Sequence, residues 1–305
     1  MSISTATRFD FSVKRPASVG LRSEIVMVIP CAGNGTRQSS WSSRIAKELI
    51  PVPSNGFTKA AVHDLIDKAL KAGIILENIF LVISDEKDDI KNYFQKDTRR
   101  LEAELRDKGK EKFAQSVEEI PFIPDEQFIL QSGPYGNATP LDSAAKKIGT
   151  ARWILYMFPD DLFLTDGKND IEQMIEAHEK TGGSIFATKR VIMDKEYDQY
   201  GIVDGRAVEG TGGKLVEVST IIEKPGKAAA PSDLASVSGF IFDPIMWQIV
   251  EEETSRFNSA EENMIQPMIQ QAIDHGWPFF AVKIDGNYHD TGNHADYAKL
   301  WAEVA

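Results

Sequence analysis

One stretch constrains this chain more than any other: Ile25-Val26-Met27-Val28-Ile29-Pro30-Cys31-Ala32-Gly33-Asn34-Gly35-Thr36-Arg37. Its first five residues form a short apolar run of the kind that makes a strand buried on both faces. Pro30 is expected to stop the ladder, since it brings no N–H. Ala32, Gly33, Asn34 and Gly35 then supply small residues that turn sharply and let a ligand approach the backbone. A buried strand emptying into a Gly-rich loop is where α/β proteins hold phosphates, because the loop N–H groups point outward there. Arg37 closes the loop with a permanent charge, and Lys47 follows one short segment later. The expectation is a nucleotide phosphate cradle with two cations beside it.

Two familiar cradles do not match. A P-loop needs four residues between its glycines and then Gly-Lys-Ser/Thr, which is absent. The dinucleotide fingerprint needs a third glycine where Gln38 stands, which argues against a dehydrogenase. A lone Gly-x-Gly after a strand is as often an ordinary tight turn, so the loop alone decides nothing.

At 305 residues the chain is at the upper limit of a single core, so one elaborated domain or two fused layers are expected. A net charge of −12 excludes general nucleic-acid binding, which wants a basic face. It also requires an anionic substrate to be drawn in by a local cluster of cations. The single cysteine, Cys31, excludes an internal disulfide framework and a thiolate zinc site, and reads as a small buried residue. No run approaches the roughly 18 apolar residues of a membrane span. Residues 1–20 carry Arg8, Lys14 and Arg15 but no apolar core, so they are not a secretory signal. They read as a mobile extension (1–22) ahead of one domain (23–305), and the protein as cytoplasmic.

Along the chain, residues 58–73 carry a helical pattern, 78–84 a second buried strand, and 88–108 a charged helix striped by Ile90, Tyr93, Phe94, Leu101 and Leu105. Strand, helix, strand at this spacing is a βαβ crossover and implies parallel pairing. Strands follow at 127–131, 153–158, 184–190, 215–222, 238–242 and 277–284, and helices at 170–180, 244–253 and 262–275. The strand at 153–158 ends in Pro159-Asp160-Asp161, which puts carboxylates at the sheet edge where α/β proteins bind ligands. Carboxylates there are what Mg²⁺ bridged to phosphates requires.

Several motifs in order resemble the sugar-1-phosphate nucleotidyltransferases, and the UTP–glucose-1-phosphate uridylyltransferase branch above all. They are Gly33-x-Gly35-Thr36-Arg37, then Lys47-Glu48-Leu49-Ile50-Pro51, then Gln131 with the turn through Gly136. Asp160-Asp161, Tyr200-Gly201-Ile202-Val203, Glu223-Lys224-Pro225, Ser238-Gly239 and Asp290-Thr291-Gly292 follow. The chain departs from the pattern at Gln38-Ser39 and at Ala46, where proline is common.

The resemblance implies an α/β, Rossmann-like nucleotidyltransferase domain with a mixed, mostly parallel sheet and a small β ribbon over the sugar site. It implies transfer from UTP to glucose 1-phosphate, giving UDP-glucose and pyrophosphate. Arg37 and Lys47 would be catalytic, stabilising charge on the nucleotide phosphates. Ala32, Gly33, Gly35 and Thr36 would bind the nucleotide, with Gln131 and Gly136 reading its base. Gly201, Glu223, Lys224 and Gly239 would seat the sugar phosphate. Asp160 and Asp290 would hold Mg²⁺, with Asp161 a secondary candidate and Thr291 or Asn293 capping the helix after Asp290. The partners implied are UTP and a sugar 1-phosphate, in a homo-oligomer (dimer or tetramer), with no nucleic acid and no membrane. Another sugar or nucleotide, such as dTTP, and a non-catalytic nucleotide-sugar-binding paralogue motivated by residues 38–41, stand as alternatives.

Overall fold

The computed structural model describes residues 22–33, 39–42, 44–54 and 56–304. Gly35, Thr36, Arg37 and Gln38, and the extension through residue 21, lie outside the described residues. Arg22, the last residue expected in that extension, belongs to the folded body. Its guanidinium donates to Glu179 at 2.7 and 3.0 Å and to the Ala72 carbonyl at 3.3 Å.

The strands are β1 (Val26–Pro30), β2 (Pro51–Ser54), β3 (Phe57–Ala60), β4 (Ile79–Ile83), β5 (Phe128–Leu130), β6 (Ile154–Met157) and β7 (Asp161–Leu164). They continue with β8 (Ser184–Arg190), β9 (Gly201–Ala207), β10 (Leu215–Glu223), β11 (Leu234–Phe242), β12 (Phe279–Lys283) and β13 (Asn287–Asp290). Nine of them form one sheet in the order β5-β4-β1-β6-β11-β8-β12-β10-β9. The β5-β4-β1-β6 portion and the β8–β12 pair are parallel; β11, β10 and β9 run antiparallel to their neighbours.

β1 is buried on both faces, as its apolar run requires. Val26 and Val28 point into a core shared with the helices Thr139–Ile148, Ile245–Arg256 and Ile265–Asp274. Met27 and Ile29 point to the other face, against the helices Ala61–Lys71, Asp88–Gln95 and Asp170–Thr181. The result is helix, sheet, helix, with β1 near the middle and its C-terminal end opening onto the Gly33 loop.

Three local expectations are corrected. Pro30 does not stop the ladder: it pairs with Val82, and the Cys31 N–H donates to the Val82 carbonyl at 2.7 Å. The helix expected from Thr58 begins at Ala61, because Phe57–Ala60 pairs with Pro51–Ser54 as a hairpin. Phe57 and Thr58 suit a pleated strand better than a first helical turn. The charged segment 88–108 is two helices, Asp88–Gln95 and Arg99–Asp107, followed by a third at Glu111–Glu118. Ile90 and Phe94 reach the core, whereas Arg99–Asp107 buries nothing, so its Leu101 lies exposed. The β ribbon is continuous with the main sheet: β9 pairs with β10 and also with β11, so β8, β12, β10, β9 and β11 close into a ring.

β11 reaches both of its neighbours by way of an irregularity between Ser236 and Phe240. Ser238 sits there at a φ of 65° and Gly239 at 158°. A Cβ on Gly239 would fall 2.2 Å from the Tyr156 carbonyl and 2.6 Å from the Met157 sulfur, so only glycine lets β11 approach β6 this closely. Gly239→Ala is therefore expected to lose on the order of 2 kcal/mol or more of stability, as overpacked sites do. Urea unfolding measures it, and an unchanged midpoint would refute the packing account.

Candidate active site

A cavity of about 600 Å³ opens at the C-terminal ends of β1 and β6. Ala32, Gly33, Lys47, Gln131 and Gly136 line it, together with Glu223 and Lys224 and with Asp160 and Asp290. Nine of the residues expected at the site thus share one cavity. Gly201 does not line it; it stands behind, where an added Cβ would meet Glu223 Oε2 at 3.0 Å. Gly239 does not line it either, being packed against β6. Gly35, Thr36 and Arg37 lie outside the described residues.

Lys47 occupies a short helical turn, Lys47–Leu49, immediately before β2. Its ammonium pairs with Asp160 at 2.6 Å and lies 3.9 Å from the position of a Cβ on Gly33. The cation therefore stands between the loop at Gly33 and the Asp160 carboxylate. The segment is anchored from below: Glu48 is fully buried and receives Lys87 at 2.6 Å, and the Ala46 N–H donates to Asp89 Oδ2 at 2.5 Å. A proline at position 46 has no N–H and could not make that bond. The departure at Ala46 is thus matched by a carboxylate of this chain. Cys31, beneath the loop, is fully buried, and burial pushes its thiol well up, so it is no nucleophile.

Asp160 and Asp290 come together through β7 and β13. These strands pair antiparallel with Asp290 opposite Asp161, and Thr291 donates to the Asp160 carbonyl through its N–H at 2.8 Å and its hydroxyl at 2.9 Å. Asp290 thus closes a strand, where the start of a helix was expected; the helix begins at His294, and Asn293 caps it by accepting from the Ala295 N–H at 2.9 Å.

Asp161 has a different task from its neighbour. One oxygen accepts from the Ser238 N–H at 2.8 Å and the other from the Tyr288 hydroxyl. Burial, with Asp160 and Asp290 alongside, pushes its carboxyl up to about 7. Among the described residues no three His, Cys, Asp or Glu side chains are arranged to hold a metal by themselves. Two carboxylates suffice for Mg²⁺, which keeps several waters and takes substrate phosphates as further ligands. Asp160 and Asp290, both under 10% exposed and both close enough to raise Asp161, fit that requirement.

Elsewhere on the cavity wall, Glu223 closes β10 with its Oε2 buried and without a hydrogen-bond partner. Burial raises its carboxyl, with Lys224 at 3.6 Å opposing. Lys224 holds a φ of 45°, a conformation a non-glycine residue adopts at a cost of about 1–3 kcal/mol and one that clusters at ligand sites.

Sequence reasoning missed the loop at Asn263. A Cβ on Gly136, which has a φ of 147°, would lie 2.2 Å from the Asn263 carbonyl oxygen. The Asn263 N–H donates to the Tyr135 carbonyl at 2.7 Å, and its own carbonyl accepts from Ala138 at 3.0 Å. This clasp carries Glu262 and Met264 to the cavity wall. Gly136 was expected to admit the base, whereas its Cβ position is taken by the Asn263 backbone, and nothing local to 262–264 marks a site.

The shift at Asp161 has a measurable consequence. Below about 3.8 both folded and unfolded chains hold the proton; between there and about 7 only the unfolded chain ionises, so stability falls as pH rises, and above about 7 it falls no further on this account. Asp161→Asn has no such group. In metal-free buffer the stability of the parent relative to D161N is expected to decline from about pH 4 to about pH 7 and then level. Parallel unfolding profiles across that range would contradict the assignment.

Comparison with known proteins gives the same picture. Residues 26–305 match the family model "Nucleotidyl transferase". A UTP–glucose-1-phosphate uridylyltransferase of Streptococcus pyogenes is 29% identical over 282 residues, covering 91% of this chain and 88% of the relative. The enzyme of the same name from Bacillus subtilis is 28% identical over 278 residues, covering 91% and 90%. The solved UTP-bound UGPase from Acinetobacter baumannii superposes with a TM-score of 0.74 at 26% identity, covering 92% of this chain and 93% of that one. The chain belongs to the nucleotidyl transferase family.

Proposed function

We propose that the chain transfers a uridylyl group from UTP to glucose 1-phosphate, with Mg²⁺, giving UDP-glucose and pyrophosphate. The observation that carries this is one cavity lined by a glycine loop with Lys47, the pair Asp160 and Asp290, and Glu223 with its unpartnered oxygen. The similar proteins from S. pyogenes and B. subtilis bear the name of this activity, and the A. baumannii neighbour was solved with UTP.

A sugar phosphate is already an anion of about −1.5 to −2 at neutral pH, so its attacking oxygen needs no general base. That oxygen bonds to the α-phosphorus, and the bond from that phosphorus to the α–β bridging oxygen of UTP breaks, the oxygen leaving as a terminal oxygen of pyrophosphate. The obstacle is bringing two polyanions into line, which calls for positioning and neutralisation. Lys47 supplies an ammonium beside Gly33 for the nucleotide phosphates, with Arg37 as its expected companion. Gln131 offers an amide donor and acceptor to the pyrimidine edge. Lys224 meets the sugar phosphate, and Glu223 accepts a sugar hydroxyl. Asp160 and Asp290 would hold Mg²⁺, which when bound neutralises phosphate charge. The Lys47–Asp160 pair gives each group a counter-charge before substrates arrive.

Pyrophosphate release with Mg²⁺, measured for each nucleoside triphosphate against glucose 1-phosphate and a panel of sugar phosphates, tests the assignment. Release from UTP with glucose 1-phosphate is expected. Release only from another pair, dTTP for example, would keep the mechanism and change the substrate, whereas binding of nucleotide sugar without any release would mark a non-catalytic paralogue. Lys47→Ala should lower turnover by about 10²-fold or more, the usual loss for a preorganised charge-stabilising donor, while the fold persists by circular dichroism. Glu223→Gln should raise KM for the sugar phosphate roughly tenfold or more and leave KM for UTP nearly unchanged, since a hydrogen bond to a charged group contributes about 1.5–3 kcal/mol.

A further inference from the structure

A second cavity, of about 480 Å³, lies between the β2–β3 hairpin, the helices Ala61–Lys71 and Asp88–Gln95, and the helix Glu111–Glu118. It shares no lining residue with the first. Half of its lining residues are apolar or aromatic: Phe57, Tyr93, Phe113, Val117 and Ile120. The rings of Phe57 and Phe113 meet edge to face at 6.4 Å, and Phe113 remains 57% exposed beside the opening. Size, aromatic lining and a few polar groups are the ordinary marks of a small-molecule site.

The polar groups narrow the ligand. Lys59 is already held by Asp67 at 2.5 Å, with Glu119 at 3.7 Å, so a phosphate would have to displace two carboxylates. His63 is 1% exposed; its Nδ1 shares a proton with the Tyr93 hydroxyl at 3.0 Å. Its Nε2 has only a long contact, 3.5 Å from Asp67 Oδ1, and forms no well-shaped hydrogen bond. Ser116 adds a hydroxyl. Aromatic walls with hydrogen-bonding groups suit an uncharged heteroaromatic ring, which stacks on such side chains.

Two of the walls are joined to the catalytic lysine. The hairpin begins at Pro51, directly after the Lys47–Leu49 turn, and the Ala61 N–H donates to the Ile50 carbonyl at 3.0 Å. The helix that carries Tyr93 also carries Asp89, which holds the Ala46 N–H next to Lys47. We propose that this cavity binds a neutral, flat heteroaromatic molecule of nucleoside size, and that its occupancy is transmitted to Lys47 through the Asp89–Ala46 hydrogen bond.

The full chain is titrated with uridine, adenosine and the saturated control cyclohexanol, binding being followed by calorimetry without turnover, so the result does not depend on the transferase reading. Saturable binding of a nucleoside but not of cyclohexanol is expected, with Kd raised at least tenfold by Val117→Trp, which fills the cavity, and unchanged by Gln131→Ala. No saturable binding, or binding lost in Gln131→Ala and kept in Val117→Trp, would overturn the site. Amide hydrogen exchange at residues 46–50 reads the coupling: the bound nucleoside should slow it at least twofold in the parent and not in Ala46→Pro. Position 46 has a φ of −54°, which proline accepts. Equal slowing in both proteins, or none in the parent, would overturn the coupling.

Discussion

The site depends on the antiparallel pairing of β7 with β13. That short two-stranded ladder sets Asp290 opposite Asp161, and Thr291 fastens the Asp160 carbonyl with two hydrogen bonds. Carboxylates repel, and three of them at one buried point need something stronger than packing to stay there. Backbone pairing supplies it, because ladder bonds are insensitive to side-chain charge. Asp161 then ties this unit to the body: it accepts the N–H of Ser238, whose φ of 65° is stabilised by that bond and by the Ser238 hydroxyl on Asp170. The irregularity in β11, the glycine beside it and the two forward carboxylates are parts of one construction.

Its charges are balanced locally. A chain of net charge −12 presents no general attraction to nucleotides, so the cations that matter must be placed by the fold. Lys47 is fixed by its neighbours Ala46 and Glu48, each bonded to the segment around the start of the helix Asp88–Gln95. Lys224 is fixed by a strained turn at the end of β10. Both cations are carried by tightly held backbone, which shortens the reorganisation needed when a polyanion enters.

Much of the fold was legible, because the central strands β1, β4 and β6 show as uninterrupted apolar runs. Where local preference and tertiary pairing disagree, the sequence misleads. Residues 58–60 carry a helical pattern yet pair with β2, and Pro30 looks like a terminator yet has a partner in Val82. Lys47, Asp160 and Glu223, singled out in the sequence because chemistry and position coincide there, line one cavity in the fold. Gly239 packs against β6 and does not line the cavity, and a glycine that admits a ligand and one that admits a neighbouring strand look alike in sequence. Glu262 and Met264 were invisible, because a clasp between distant loops leaves no local signature.

The ring of β8, β12, β10, β9 and β11 also bears on how the molecule avoids its own copies. An open sheet has two margins of unsatisfied N–H and C=O groups, each a template for adding a strand from another chain. Here one margin is folded back, since β9 is paired on both sides, to β10 and to β11. The other margin is β5, three residues long. Among the described residues, the nine-stranded sheet thus offers a would-be fibril a very short foothold.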